Sequence, residues 1–209
     1  LVTGRGKYTT DNNVDRQAAA CFLRADRAHA RIVRVDTERA RKSPGVLDVV
    51  TGADYFANGW KAPPVMAFFK GVGGSSLRVP YRGGLAHDRV RFVREPVALV
   101  VAETEHQAQD AAELIDVEYE DVPVFVEAAD ALKPGAVSIH EDVPGNLAFD
   151  YEYGNKDNTE QGFAKAAHVV RVEVRAQRIA GNPMEPKSCL AKYDAATEQF
   201  ELWAPTQGV

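Results

Sequence analysis

The side chains of this chain that could do chemistry are scattered, and each has a plain structural reading beside its chemical one. His29, His87, His106, His140 and His168 include no pair at metal-ligand spacing such as His-x-x-x-His, so hydrogen-bonded structural histidines are favoured over a chelating site. Cys21 and Cys189 have no close partner in sequence, which argues against a disulfide framework or a zinc cluster and for two free thiols in a reducing compartment. "GVGGSS", residues 71–76, could cradle a phosphate through backbone N–H groups. It is not a Walker sequence and no strong strand or helix flanks it, so a loop is the better reading. Glu113, Glu118, Glu120 and Asp121 could work as acid and base if burial separated their pKa values. At the end of a surface helix, a solvated acidic face is the stronger expectation. The serines lack a nucleophile-elbow context. In "GNPMEPKSCLAKYD", residues 181–194, Pro183 and Pro186 bracket Met184-Glu185, and a segment missing two N–H donors should cross or leave a sheet edge. Glu185 then either ties down backbone donors or faces a ligand, with tethering favoured.

The elements that would position these groups can be read from periodicity. Residues 17–23 and 31–35 predict strands around a polar turn. Asp36 or Thr37 can cap a short helix that Pro44-Gly45 stops, and "VLDVVTG" is a further strand. The Gly- and Pro-rich tract 57–84 has no clear period and predicts a long surface excursion. Residues 97–102 are uninterruptedly apolar, as in a strand covered on both faces. Thr104 and Gln107 have capping-box spacing. Ala108, Ala111, Ala112 and Ile115 then mark one face of a helix, with small side chains that let it lie close to a sheet. Val117 and Tyr119 alternate with charges, as in a half-buried strand. The tract 31–50 has the same strand–helix–strand order. Such an order also suits a nucleotide-binding sheet, but no glycine-rich turn joins residue 101 to the helix. Beyond residue 128 the pattern weakens as in a connection between domains. A short helix capped by Asn158 or Thr159 follows, then strands over 169–174, 188–193 and 199–203. Three strands with so little helix need partners to be stable.

At 209 residues, one large or two small domains are possible, and 45% hydrophobic with 26% charged residues is an ordinary globular composition. The net charge of -5 gives no whole-chain attraction for nucleic acid or an anionic membrane. Apolar runs reach only six residues (18–23 and 97–102), where a spanning helix needs about 20. No signal peptide is visible. The chain begins at Leu1 without a methionine, as an excerpt or processed product would.

The order of motifs resembles the molybdenum hydroxylases: xanthine dehydrogenase, aldehyde oxidase and the aerobic carbon monoxide dehydrogenase large subunit. The resemblance is carried by "LVTGRGKYTTD", "AHARIVRVDTERARKSPGVLDVVTGAD", "DRVRFVREPVALVVAETEHQAQDAAELIDVEYEDVPVFV", "GFAKAAHVVR", "NPMEPKSCLAKYD" and "LWAPTQ". These span nearly the whole chain in the family's order, and the series is far more specific than any one piece. Three positions depart from the pattern. Arg94 stands where a glycine is common in a "VGEP"-like turn, Asp26-Arg27 replaces a "SPH"-like stretch, and Gly181 precedes Asn182-Pro183 where a larger residue is common.

The resemblance implies an α+β fold: an α/β hammerhead domain over 1–125, a linker over 126–147, and over 148–209 the incomplete, β-rich start of a molybdopterin-binding domain. It implies part of the molybdenum-cofactor subunit of a cytoplasmic oxidoreductase that hydroxylates or oxidises aldehydes, N-heterocycles or carbon monoxide, with water as oxygen source. Partners would be the remainder of the large subunit, an iron–sulfur subunit, an FAD subunit and a small-molecule substrate in a hetero-oligomer, with no nucleic acid and no membrane. Gln207 matches the family's "TQ" glutamine, whose amide approaches the molybdenum oxo group without being a direct ligand. No catalytic residue is expected in this chain. The family's "GGFG" loop and catalytic glutamate would lie beyond residue 209, so the chain alone is expected to be inactive and to bind none of these cofactors. The competing expectation is a non-catalytic assembly or docking module of a redox complex. The sequence following residue 209 distinguishes the two.

Overall fold

The structure is a computed structural model that describes residues 3–65, 70–177 and 179–206. It divides into two compact units, Ala18–Asn155 and a second made of Leu1–Gln17 with Lys156–Val209. The fold is mixed α and β, and every named strand pairing is antiparallel.

In the larger unit, strands β1 (Ala19–Arg24), β2 (Ala30–Asp36) and β3 (Val46–Thr51) are followed by β4 (Arg89–Val90), β5 (Pro96–Ala102) and β6 (Asp116–Asp121). Among them run helices α1 (Glu38–Arg41), α2 (Gly52–Ala57) and α3 (Glu105–Glu113), with α4 (Ala128–Ala131) after β6. They form two three-stranded sheets, ordered β1-β5-β3 and β4-β2-β6. Both strand–helix–strand units cross between the sheets. β2–α1–β3 passes from the second sheet to the first, and β5–α3–β6 passes back. The strand–helix–strand order therefore builds no parallel nucleotide-binding sheet.

The helix α3 forms where the sequence predicts it. The Thr104 hydroxyl accepts the Gln107 N–H at 3.3 Å, which caps the first turn. Gly45 lies against the Gln107 amide with φ +78°, so a Cβ there would be strained and would collide with that side chain. Ala108, Ala111, Ala112 and Ile115 face the first sheet and are buried with Val49, Ala98, Val100 and Ala102. The small side chains permit this close approach. A smaller cluster, Ala25, Ala30, Ala86, Val90 and Val97, lies beside it, and Val35 and Val117 touch both.

The sequence reading misses α2, which is capped reciprocally by Thr51 and Asp54 inside the "VLDVVTGADYFA" tract. Residues 128–155 belong to the larger unit. Asn146 ties this segment together, donating to the carbonyls of Ala131 and Val137 and accepting from the Ile139 N–H at 2.7 Å.

In the smaller unit, helix α5 (Lys156–Lys165) begins before its expected caps, so Asn158 and Thr159 lie within it. Strands β7 (Leu190–Asp194) and β8 (Gln199–Trp203) form a hairpin with Tyr193 packed on Phe200. The strand expected at 169–174 is not formed, because that tract has no ladder partner among the described residues. Val170, Val172 and Val174 are 84%, 74% and 82% exposed. No helix among the described residues is long and apolar enough to cross a membrane.

Candidate functional site

Sequence reasoning names Gln207 as the residue nearest the chemistry, and it lies outside the described residues. The other candidates resolve toward their structural readings. The acidic cluster becomes a face of ion pairs across the second sheet: Arg31 Nε to Glu120 at 3.1 Å, Arg27 to Asp121 at 3.5 Å and Arg34 to Glu118 at 3.9 Å. All these side chains are at least partly exposed, so each pair contributes little to stability. In "GVGGSS" the N–H groups of Gly71, Val72, Gly74 and Ser75 already donate to backbone carbonyls, leaving no nest of free donors for a phosphate. Glu185 acts as a tether within the smaller unit, accepting from both the N–H (2.9 Å) and the hydroxyl (3.1 Å) of Thr9. Among the described residues, no group of three or more His, Cys, Asp or Glu could hold a metal ion.

The histidines separate by environment. His29 is buried, with Nδ1 2.8 Å from the Pro123 carbonyl oxygen and Nε2 without a hydrogen-bond partner. Burial lowers its pKa, opposed in part by the Pro123 carbonyl. His87 stacks on Phe56 with ring centroids 4.4 Å apart.

The larger unit carries a half-open cleft of about 290 Å³ that sequence reasoning did not foresee. Phe56 at the end of α2, His87, Arg91, Glu95 and His140 lie along its wall. Arg91 organises it. Its Nε donates to the Ile139 carbonyl and its Nη1 to the Arg89 carbonyl, each at 3.1 Å, fixing the 137–147 segment against the 89–95 turn. The Glu95 carboxylate accepts the Arg91 N–H, and burial pushes its pKa up despite that bond and the nearby Arg91 charge. Burial first, and then Arg91, pushes His140 down. The cleft thus joins a carboxyl and an imidazole whose charged forms are both disfavoured by burial. Burial moves the carboxyl toward neutrality and the imidazole away from it, while the arginine is committed to backbone carbonyls. The only advance signal was the charge density of "HDRVRFVRE", because His140 comes from a remote part of the chain.

Residues 3–123 match the family model described as aldehyde oxidase and xanthine dehydrogenase, a/b hammerhead domain, and residues 139–209 match a molybdopterin cofactor-binding domain. The chain is 38% identical over 212 residues to the nicotine 6-hydroxylase large subunit of Paenarthrobacter nicotinovorans, covering 99% of this chain and 24% of that protein. It is 32% identical over 216 residues to the carbon monoxide dehydrogenase large chain of Afipia carboxidovorans, covering 98% of this chain and 25% of that one. Among solved structures it resembles quinoline 2-oxidoreductase from Pseudomonas putida 86, with TM-score 0.81 and 34% identity over 99% of this chain and 25% of that chain. A structure of Cu,Mo-CO dehydrogenase in its carbon monoxide reduced state gives TM-score 0.82 and 30% identity over 97% of this chain and 26% of that one. The chain spans about a quarter of the length of these relatives.

Proposed function

The chain belongs to the aldehyde oxidase and xanthine dehydrogenase family of molybdenum hydroxylases, and on that premise we propose that it forms the hammerhead domain and the opening cofactor-domain segment of a molybdenum-cofactor subunit. The complete enzyme hydroxylates or oxidises an aldehyde, an N-heterocycle or carbon monoxide with water as oxygen source. The observation that carries the reading is that the two family matches fall in a single order along one chain, 3–123 and then 139–209. A hammerhead over 1–125, a linker over 126–147 and a cofactor-domain start over 148–209 follow as its division. The exposed valines of 169–174 support it, since an alternating apolar tract without a ladder partner among the described residues suits a strand that pairs with other chain segments.

The molybdenum-pterin cofactor supplies the oxidative chemistry when bound. The described residues contribute no metal ligand set, and their part is to position the segment that ends in the "TQ" pair. Gln207 is the residue of this chain proposed to meet the cofactor. A neutral amide N–H₂ would offer the cofactor a hydrogen-bond donor without adding charge, so Gln207 would orient the group and act as neither acid, base nor ligand. Iron–sulfur and FAD subunits carry the electrons onward in a cytoplasmic hetero-oligomer.

The test is Gln207→Ala in the complete enzyme. Turnover should fall strongly while the melting temperature and iron–sulfur content stay nearly as in the wild type. Wild-type turnover at normal molybdenum loading would sink the assignment.

A further inference from the structure

The N-terminal segment meets Glu185 as a preformed donor. Residues 9–11 make one 3-10 turn, closed by the Asp11 N–H donating to the Tyr8 carbonyl at 3.0 Å. The Tyr8 N–H donates to the Asp11 carboxylate at 2.8 Å, and the Asn12 amide donates to the carbonyls of Tyr8 and Thr9 at 3.2 and 3.3 Å. From this braced turn Thr9 directs both its donors, the N–H and the hydroxyl, onto the same oxygen of Glu185. Hydrogen bonds to an ionised acceptor are stronger than neutral ones. Thr9 and Glu185 are half-buried, while Met184 beside the carboxylate is exposed. Pro183 and Pro186 flank the pair. A proline fixes its own φ and confines the residue before it to extended backbone, so Glu185 is carried on a stiff stretch.

The chain after Glu185 leads to the hairpin. Leu190, five residues on, opens β7 and is buried, and the Ser188 hydroxyl oxygen between them is buried as well. In the hairpin register Leu190 lies opposite Trp203, the last residue of β8. The clamp therefore enters the hairpin at the end from which the chain leaves it. Trp203, Ala204 and Pro205 are half-buried, whereas residues 199–202 are exposed, and Gln207 follows Trp203 by four residues. Because pairing fixes register, a displacement of the strand at Leu190 is passed to Trp203.

We propose that Glu185 is a positioning residue for the molybdenum-cofactor chemistry: its clamp on Thr9 fixes the open end of the β7–β8 hairpin and, through it, the placement of Gln207. The inference rests on the Gln207 reading given above and extends it, because it makes the N-terminal turn part of what aims that side chain. Glu185 itself touches neither cofactor nor substrate in this role.

The test uses the complete enzyme. Glu185→Ala should lower kcat about ten- to a hundredfold, the size expected of a displacement near 1 Å, with KM within about twofold of the wild type. Glu185→Gln keeps an acceptor oxygen for both Thr9 donors and should recover most of that loss. In a Gln207→Ala background, adding Glu185→Ala should change kcat by less than about twofold, because the side chain it aims is already gone. Hydrogen exchange on enzyme prepared without molybdenum gives a readout independent of turnover. There Glu185→Ala should speed exchange at least about fivefold at residues 8–12 and 199–204 and leave α3 as in the wild type. Thr9→Val removes the hydroxyl bond alone and should lower kcat about threefold, which carries the test if Glu185→Ala fails to fold. Wild-type kcat in a folded, molybdenum-loaded variant at either position would overturn the clamp. So would a loss that adds fully to that of Gln207→Ala, or unchanged exchange at 199–204. Wild-type turnover of Gln207→Ala by itself would instead overturn the reading on which the inference rests.

Discussion

Replacing Ala111 with glutamate tests the helix-on-sheet packing on which the larger unit rests. Ala111 is 0% exposed, and its cluster is entirely apolar: Val49, Ala98, Val100, Ala102, Ala108, Ala112 and Ile115. A carboxylate there has no partner, so the side chain stays protonated in the fold while the unfolded chain ionises it above about pH 4.3. The folded pKa is raised, so the loss of stability grows as pH rises above that unfolded value. At about 1.4 kcal/mol per pH unit, the penalty is about 1 kcal/mol at pH 5 and about 4 kcal/mol at pH 7. Crowding by the larger side chain adds about 1–3 kcal/mol at either pH, and Ala111→Leu measures that part by itself. A unit of about 140 residues unfolds with an entropy near 0.3 kcal/mol/K, so 1 kcal/mol moves its melting temperature by about 3 °C. Circular-dichroism melts should therefore show the glutamate variant falling about 10 °C further below the leucine variant at pH 7 than at pH 5. Glutamate and leucine variants melting together at both pH values would refute the claim that α3 seals a dry interface.

Two other consequences can be measured on the same unit. Arg91→Lys keeps the charge but loses the two bonds to the Ile139 and Arg89 carbonyls; it should cost about 1–3 kcal/mol in urea unfolding and speed amide exchange around residue 139, and unchanged exchange there would show that Arg91 does not hold the segment. His29 and His140 have folded pKa values below their unfolded ones, so the unfolded chain binds the extra protons; stability should be full above about pH 6.5 and decline as pH falls from there through the folded values. His29→Gln should make the decline shallower, and a wild-type urea midpoint that stays flat from pH 7.5 to 5.5 would count against both burials.

What could be read in advance was whatever is written locally. The alanine face of α3 and the apolar run of β5 depend on neighbours three, four or two residues away, and both lie where periodicity puts them. The helix α2 was hidden because its cap uses Asp54 rather than Glu or Gln, and because only six residues follow Thr51. The tract 169–174 alternates as a strand should, yet a strand exists only with a partner, and alternation says nothing about whether one is present. The cleft was illegible for the same reason. Arg91 meets the Ile139 carbonyl across 48 residues of chain, and no local pattern encodes that meeting. The hammerhead resemblance came from motif order, which is a different signal from the physics of any single motif.

The two crossings between the sheets have a kinetic side. Each sheet takes strands from both the early and the late part of the unit: β1 lies on β5, and β2 lies on β6. Neither sheet is drawn from one contiguous stretch of the unit, so no half of the sequence holds a whole sheet by itself. Loops of about 45 to 80 residues must close before any of these ladders forms, which is the circumstance in which chains fold slowly. A newly made chain that has emerged only as far as β4 would hold β1, β2 and β3 with most of their eventual neighbours still missing, and its exposed edges would be open to other chains until β5 and β6 arrive.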